Sequence, residues 1–115
     1  MANLKRNMIE LIKEVKEGEI VTEKYLTPVF IPLSVVYEGL DLADQLEKSN
    51  VDEKEKIDRL VNFIADEVYG KQFTKDDLKN GLHGPQAIET LHRQLVFATN
   101  GFQDDETKKF LAKKN

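Results

Sequence analysis

The most regular hydrophobic pattern of the chain lies near its middle. Apolar residues recur there at steps of three and four, the spacing of one helical face, at Ile57, Leu60, Val61, Ile64 and Val68. Asn50 and Glu53 have the spacing of a capping box, which satisfies free N–H groups at a helix start. Gly70 can end the helix. The pattern therefore predicts a central core helix between these residues, with Phe63 and Tyr69 flanking its stripe.

The first part of the chain has a less regular pattern. Helical spacing is present at Leu4, Met8, Leu11, Ile12 and Val15. This spacing predicts a helix over Leu4–Glu17, ended by Gly18. The segment Ile20–Phe30 is rich in β-formers and predicts a short strand. Because proline has no N–H to donate to a sheet, Pro28 and Pro32 would confine the end of that strand to an edge.

One further helix is predicted before the core helix and one after it. The first covers Pro32–Lys48, where Gly39 and Ala43 would permit another backbone to approach closely. The second begins at Gly84-Pro85, because proline suits the first turn of a helix. Its apolar stripe consists of Ile88, Leu91, Leu95 and Ala98. Gly101 is placed to end this helix after Asn100.

A short elbow connects the core helix to the last long helix. Thr74 can accept a hydrogen bond from the backbone N–H of Asp77 as an N-cap, and Asp77 can complete a capping box. Phe73 and Leu78 stand at the two positions of a hydrophobic staple. Gly81 has the position of a left-handed residue that ends a helix. These five residues predict a structural elbow, and the capping roles account for its polar groups.

The composition predicts one soluble, non-enzymatic domain. The 115 residues contain no cysteine, which removes disulfides and thiolate sites, and no apolar run long enough to span a membrane, so we expect a cytoplasmic location. The net charge of −4 argues against a nucleic-acid partner and favours proteins. His83 and His92 lack the acidic partners of a metal or catalytic site. We therefore predict no catalytic residue, no metal and no cofactor.

The predicted domain covers residues 1–115 and has three parts. Residues 1–31 form the N-terminal helix and edge segment, and residues 32–101 form the helical core. Residues 102–115 form a mobile or loosely docked tail, because ordering so short a segment costs more entropy than two buried side chains recover. Phe110 and Leu111 are adjacent and point about 100° apart in a helix, so one narrow stripe cannot bury both. The predicted protein-binding residues are Phe97, Phe102, Phe110 and Leu111.

Three stretches of the chain resemble a known family. They are Tyr25–Pro32 (YLTPVFIP), Ile57–Ile64 (IDRLVNFI) and Gly70–Leu82 (GKQFTKDDLKNGL). Together they are similar to the tail assembly chaperones of long-tailed, siphovirus-type bacteriophages that infect Gram-positive bacteria. The most specific part is the Gln-Phe-Thr-x-Asp-Asp-Leu-x-x-Gly elbow after a core helix.

The resemblance implies a function and an alternative N-terminal structure. Such a chaperone acts in the host cytoplasm, keeps the tape measure protein soluble, helps tail tube subunits assemble around it and is absent from the virion. A homo-oligomer and a longer, frameshifted form remain open. In many members the N-terminus is a short β-hairpin, which is the alternative to the helix over Leu4–Glu17.

A second function class competes with the chaperone. A small helical regulatory protein, weakly associated with DNA, could build a helix-turn-helix from residues 73–100. In that region Lys75, Lys79, His92 and Arg93 would attract phosphate, and Asp76, Asp77 and Glu89 would repel it. The acidic residues favour the chaperone, because binding to DNA requires a concentrated basic surface.

Overall fold

A β-hairpin precedes five helices in the computed structural model, which describes residues 5–48, 50, 52–103 and 105–113, without the side chains of Glu106 and Lys113. The strands are β1 (Met8–Lys16) and β2 (Glu19–Leu26). The helices are α1 (Leu33–Lys48), α2 (Glu53–Phe63), α3 (Lys75–Gly81), α4 (Gly84–Asn100) and α5 (Asp105–Lys113). A π-helical turn, Ile64–Val68, continues α2. The predicted fold class, a mainly α domain in which a short N-terminal strand or hairpin was left open, is confirmed.

The helix predicted over Leu4–Glu17 is wrong, because the described part of this segment contains strand β1. Ile9 and Leu11 are buried in the core, and Glu10 between them is exposed. Burial therefore alternates from residue to residue here, as it does in a β-strand with one buried face. Val15, which belonged to the helical stripe, is exposed near the tip of the hairpin. The alternative of a hairpin is therefore correct, and pairing with β2 overrides the local helical spacing.

The two strands are antiparallel and joined by a two-residue turn. Met8 pairs with Leu26 at the base and Val15 pairs with Ile20 near the tip, with an irregularity between Ile12 and Glu14. Gly18 adopts φ 76° in the turn, a conformation that glycine tolerates without steric cost. The tip half of the hairpin projects from the core, because most of its residues are exposed.

The strand predicted over Ile20–Phe30 ends earlier than expected, at Leu26. Residues 27–32 continue without strand structure, so the predicted edge segment does not pair. Thr27 anchors their start, because its backbone N–H donates to the carbonyl of Asn7 and its Oγ1 accepts from the backbone N–H of Asn7. These bonds complete the pairing of the hairpin base, and the chain then turns towards α1.

The core helix starts at a different cap and ends with a wider turn than predicted. The N-cap is Asp52, whose side chain accepts from the backbone N–H of Glu55, so the predicted capping role of Asn50 is wrong. At the other end the backbone N–H of Tyr69 donates to the carbonyl of Ile64, five residues back. Tyr69, predicted to flank the stripe, is fully buried at the end of this π-helical turn.

Helices α1, α2 and α4 pack against one another and form most of the core. Gly39 is closely packed, but against side chains and not against the backbone that was predicted to approach: a Cβ atom there would lie 2.7 Å from Thr99 Cγ2 and 3.1 Å from Phe63 Cζ. Helix α4 begins with Pro85 in its first turn, and Gly101 ends it at φ 76°. The base of the hairpin packs against the other side of this core, next to α3.

Candidate functional site

The elbow contains the predicted cap. The backbone N–H of Asp77 donates to Thr74 Oγ1 at 3.0 Å, and the backbone N–H of Thr74 donates to Asp77 Oδ2 at 3.0 Å. The bond from the Thr74 backbone is the main cause that lowers the pKa of the Asp77 carboxyl below its ordinary value. Phe73 and Leu78 are buried on the two sides of the cap. An aromatic contact connects this region to the hairpin, since the ring centroids of Phe73 and Tyr25 are 4.9 Å apart.

The left-handed conformation predicted for Gly81 is wrong. Gly81 is the last residue of α3 and is not among the glycines with positive φ, and the extended residue Leu82 caps the helix. A Cβ at this position would lie 2.9 Å from Leu11 Cβ on β1. The small size of glycine therefore matters here because α3 ends against the hairpin.

A buried polar network joins parts of the chain that are distant in sequence. Gln94 Oε1 accepts from Asn7 Nδ2 at 3.1 Å and from the hydroxyl of Tyr69. Gln94 Nε2 donates to the carbonyl of Met8 at 3.0 Å. Thr107 Oγ1 donates to Asn7 Oδ1 at 3.0 Å and accepts from the backbone N–H of Met8. The sequence pattern missed this network, because single polar residues carry no periodic signal.

The network docks α5 against the start of β1. Thr107, the α5 residue in this network, is fully buried. Gln103 Nε2 adds a bond to the carbonyl of Arg6 at 2.6 Å, just before α5 begins. The predicted mobility of residues 102–115 concerns dynamics and stays a prediction, and Asp104 and residues 114–115 lie outside the described part of the chain.

The predicted protein-binding residues occupy separate places. Phe97 is only 6 % exposed, so little of its side chain is accessible to a partner. Phe102 is 70 % exposed and lines a shallow groove with Val96. Phe110 and Leu111 are half-buried, and Lys24 Nζ lies 5.1 Å from the ring centroid of Phe110. The structure therefore leaves Phe102 as the most accessible of the four.

A different group of exposed apolar side chains lies on α1 and just before it, and the sequence pattern did not single it out. We call it the α1 surface, and its exposed side chains are Val29, Phe30, Leu33, Tyr37 and Leu40. Leu33, Tyr37 and Leu40 are spaced by four and three residues, so they share one face of α1. The opposite face buries Val35, Gly39 and Leu42. A second apolar stripe on the same helix was the signal that could have revealed this surface.

A shallow groove of about 250 Å³ adjoins the α1 surface. Val29, Phe30 and Val36 line it together with Phe97, so the buried phenylalanine belongs to its wall. Val36 stands one helical turn before Leu40, which connects the groove to the exposed stripe. The surface and the groove together form one continuous apolar region.

A larger, polar cleft of about 450 Å³ lies between the hairpin and α4. The charged groups that line it have partners: Glu10 accepts from the hydroxyl of Thr22, and Arg93 pairs with Glu89. Within residues 5–48, 50, 52–103 and 105–113, no group of three or more histidine, aspartate or glutamate side chains could hold a metal ion. Because Glu10 is hydrogen-bonded to Thr22 and Arg93 is ion-paired with Glu89, these groups do not point to a ligand of the cleft.

Several cations of the alternative DNA-binding region are already paired. Lys75 Nζ lies 3.5 Å from an Asp66 carboxylate oxygen, and Lys79 Nζ lies 3.4 Å from an Asp58 oxygen. Arg93 pairs with Glu89, as described for the cleft. These pairs reduce the positive charge that residues 73–100 could present to phosphate.

Comparison with known protein families identifies the chain. A family model described as phage tail chaperone protein matches residues 3–115. The chain belongs to this phage tail chaperone family. Curated proteins and solved structures give no match.

Membership of the family gives the chain a role in tail assembly, with tail proteins as partners. A chaperone role is non-enzymatic and acts through surfaces. In the described part of the chain, no helix has the length and apolar character needed to cross a membrane.

Proposed function

We propose that this tail chaperone binds the tape measure protein in the host cytoplasm and helps tail tube subunits assemble around it. The chaperone then leaves and is not part of the virion. Membership of the family supports this role. The observation that carries it is the α1 surface, where Phe30 is 68 % exposed beside other large apolar side chains.

The physical basis is the cost of exposed apolar stripes on a long helical client. Before tube subunits enclose it, such a client aggregates through those stripes unless another protein covers them. The α1 surface offers apolar side chains at helical spacing, which suits the packing of a helix from a partner. Phe102, Phe110 and Leu111 are proposed as secondary contacts, because they lie outside the packed core.

Co-expression with the tape measure protein of the same phage tests this function. We expect the soluble fraction of the tape measure protein to rise clearly when the chaperone is present, and to stay low with an empty vector. Purified virions should contain the tape measure protein but not this chain, as measured by mass spectrometry. An unchanged soluble fraction contradicts the proposal. A salt-sensitive shift of duplex DNA by the purified chain would favour the regulatory alternative.

A further inference from the structure

The exposed face of α1 has an apolar half, which is the α1 surface, and an acidic half towards the end of the helix. We propose that it and the adjoining groove receive an amphipathic α-helix whose apolar face is flanked by lysine or arginine. The inference rests on the proposed function for the identity of the partner, the tape measure protein. The structure indicates the chemical character of the partner segment, which is an apolar helix face with basic flanks.

The apolar half has the dimensions of a helix-binding site. Leu33 to Leu40 spans about 10 Å of α1, at 1.5 Å per residue. Val29 and Phe30 extend the apolar half beyond the start of α1, and Phe97 lines the adjoining groove. A partner helix that places residues i, i+4 and i+7 on this surface would cover side chains that now face water.

The acidic half determines the charge that the partner should carry. The exposed face of α1 continues from Leu40 into Asp44 and Glu47, with Asp41 beside them. Lys48 is the only basic residue of α1, and its Nζ pairs with Asp44 at 3.0 Å. Carboxylates near the end of a helix are disfavoured by its dipole, so a cationic partner would relieve an unfavourable arrangement.

A second copy of this chain fits the surface less well. It would bring the same excess of carboxylates to the interface. Lys5 lines the groove, but its Nζ already donates to the carbonyl oxygen of Gly101 at 3.5 Å. Like charges at a contact oppose association, so the charge pattern favours a basic helix over self-association.

Two synthetic peptides can test the proposal with the full-length chain. Both are labelled amphipathic helices with the same leucine face, flanked in one by lysine and in the other by glutamate. In fluorescence anisotropy titrations we expect the lysine peptide to bind about tenfold more tightly, with the difference shrinking in high salt. Equal affinities for the two peptides would overturn the proposal.

Matched variants locate the binding on the molecule. Tyr37→Ser combined with Leu40→Gln should weaken binding of the lysine peptide about tenfold, whereas Ile20→Gln, an exposed apolar residue at the hairpin tip, should not. Asp44→Asn combined with Glu47→Gln should remove the preference for lysine flanks. Thermal melts by circular dichroism confirm that each variant is folded. A double variant at 37 and 40 that binds like wild type overturns the assignment.

Two other outcomes separate this inference from the proposed function. If sedimentation shows a dimer that the Tyr37→Ser, Leu40→Gln variant dissociates, a second copy occupies the surface and the inference is wrong. If this variant still solubilises the tape measure protein, the function stands and its binding site lies elsewhere. If the lysine peptide binds as expected but wild type does not solubilise the tape measure protein, the identity of the partner is wrong.

Discussion

Helix α1 and helix α5 meet the rest of the protein in contrasting ways. Helix α1 has 16 residues and packs against α2 and α4, yet it leaves Leu33, Tyr37 and Leu40 in water. Helix α5 has nine residues and is mostly polar, yet it docks through fully buried Thr107. The apolar content of a helix therefore does not decide how much of it the fold covers.

The comparison shows that a helix of the core can also carry exposed apolar side chains. The sequence predicts that the tail, with its two apolar residues, binds a partner, and in the structure the polar bonds of Thr107 hold the tail against the hairpin base. Exposed apolar side chains are grouped on α1, because this helix has two apolar faces and only one of them packs against α2 and α4. Free apolar surface of this kind is costly for an isolated monomer and suits a protein that binds others.

The largest expected effect contrasts the two faces of α1. Leu42 is 7 % exposed and Leu40 is 50 % exposed, although both are leucines two residues apart. Leu42→Ala should lower the free energy of unfolding by about 2–5 kcal/mol, because it leaves a cavity in the core. Leu40→Ala should change it by less than about 0.5 kcal/mol. Urea denaturation of both variants measures the contrast, and similar losses would show that the outer face is also packed.

A smaller effect tests how α5 is docked. Thr107→Val keeps the shape of the side chain but removes the hydroxyl that accepts from the backbone N–H of Met8. The buried backbone N–H of Met8 then loses its partner, so the free energy of unfolding should fall by about 1–3 kcal/mol. Thr90→Val, whose hydroxyl bonds only to Gln86 within α4 among the bonds described, is the matched control. Faster hydrogen exchange should be confined to α5 and the start of β1.

An unaffected Thr107 variant would reverse the interpretation of α5. If both the free energy of unfolding and the exchange rates match wild type, the tail is not held by the polar network. Residues 102–115 would then be available to a partner, as predicted from the sequence.

The smallest effect concerns the elbow, where the cap of α3 is a local interaction between Thr74 and Asp77. The pKa of Asp77 lies below its ordinary value of 3.8 because the backbone of Thr74 donates to the charged carboxylate. A lowered pKa in the folded state stabilises the protein above pH 3.8, and this contribution is lost as the pH falls through the folded pKa. Asp77→Asn should therefore flatten the acid side of the stability profile, as measured by thermal melts from pH 2 to pH 6. Asp76→Asn, which removes a neighbouring first-turn charge, is the control. The acid side of its stability profile should be steeper than that of the Asp77→Asn variant.

Local interactions account for what the sequence determined by itself. The caps of α3 and the glycine that ends α4 depend on residues within a few positions, as in the bonds between Thr74 and Asp77. The helices α1, α2 and α4 follow from apolar spacing, since each needs one continuous buried stripe. The elbow residues of the candidate site were therefore predictable, apart from the reason for Gly81.

Contacts between distant residues decided the rest. Residues 8–16 have helical spacing, but pairing with β2 and burial of Ile9 and Leu11 make them a strand. The docking of α5 depends on a bond between Met8 and Thr107, which are 99 positions apart. Which apolar face of α1 stays exposed depends on where α2 and α4 pack. Only the tertiary structure determines these features, because burial is a property of the whole assembly of elements and not of one segment.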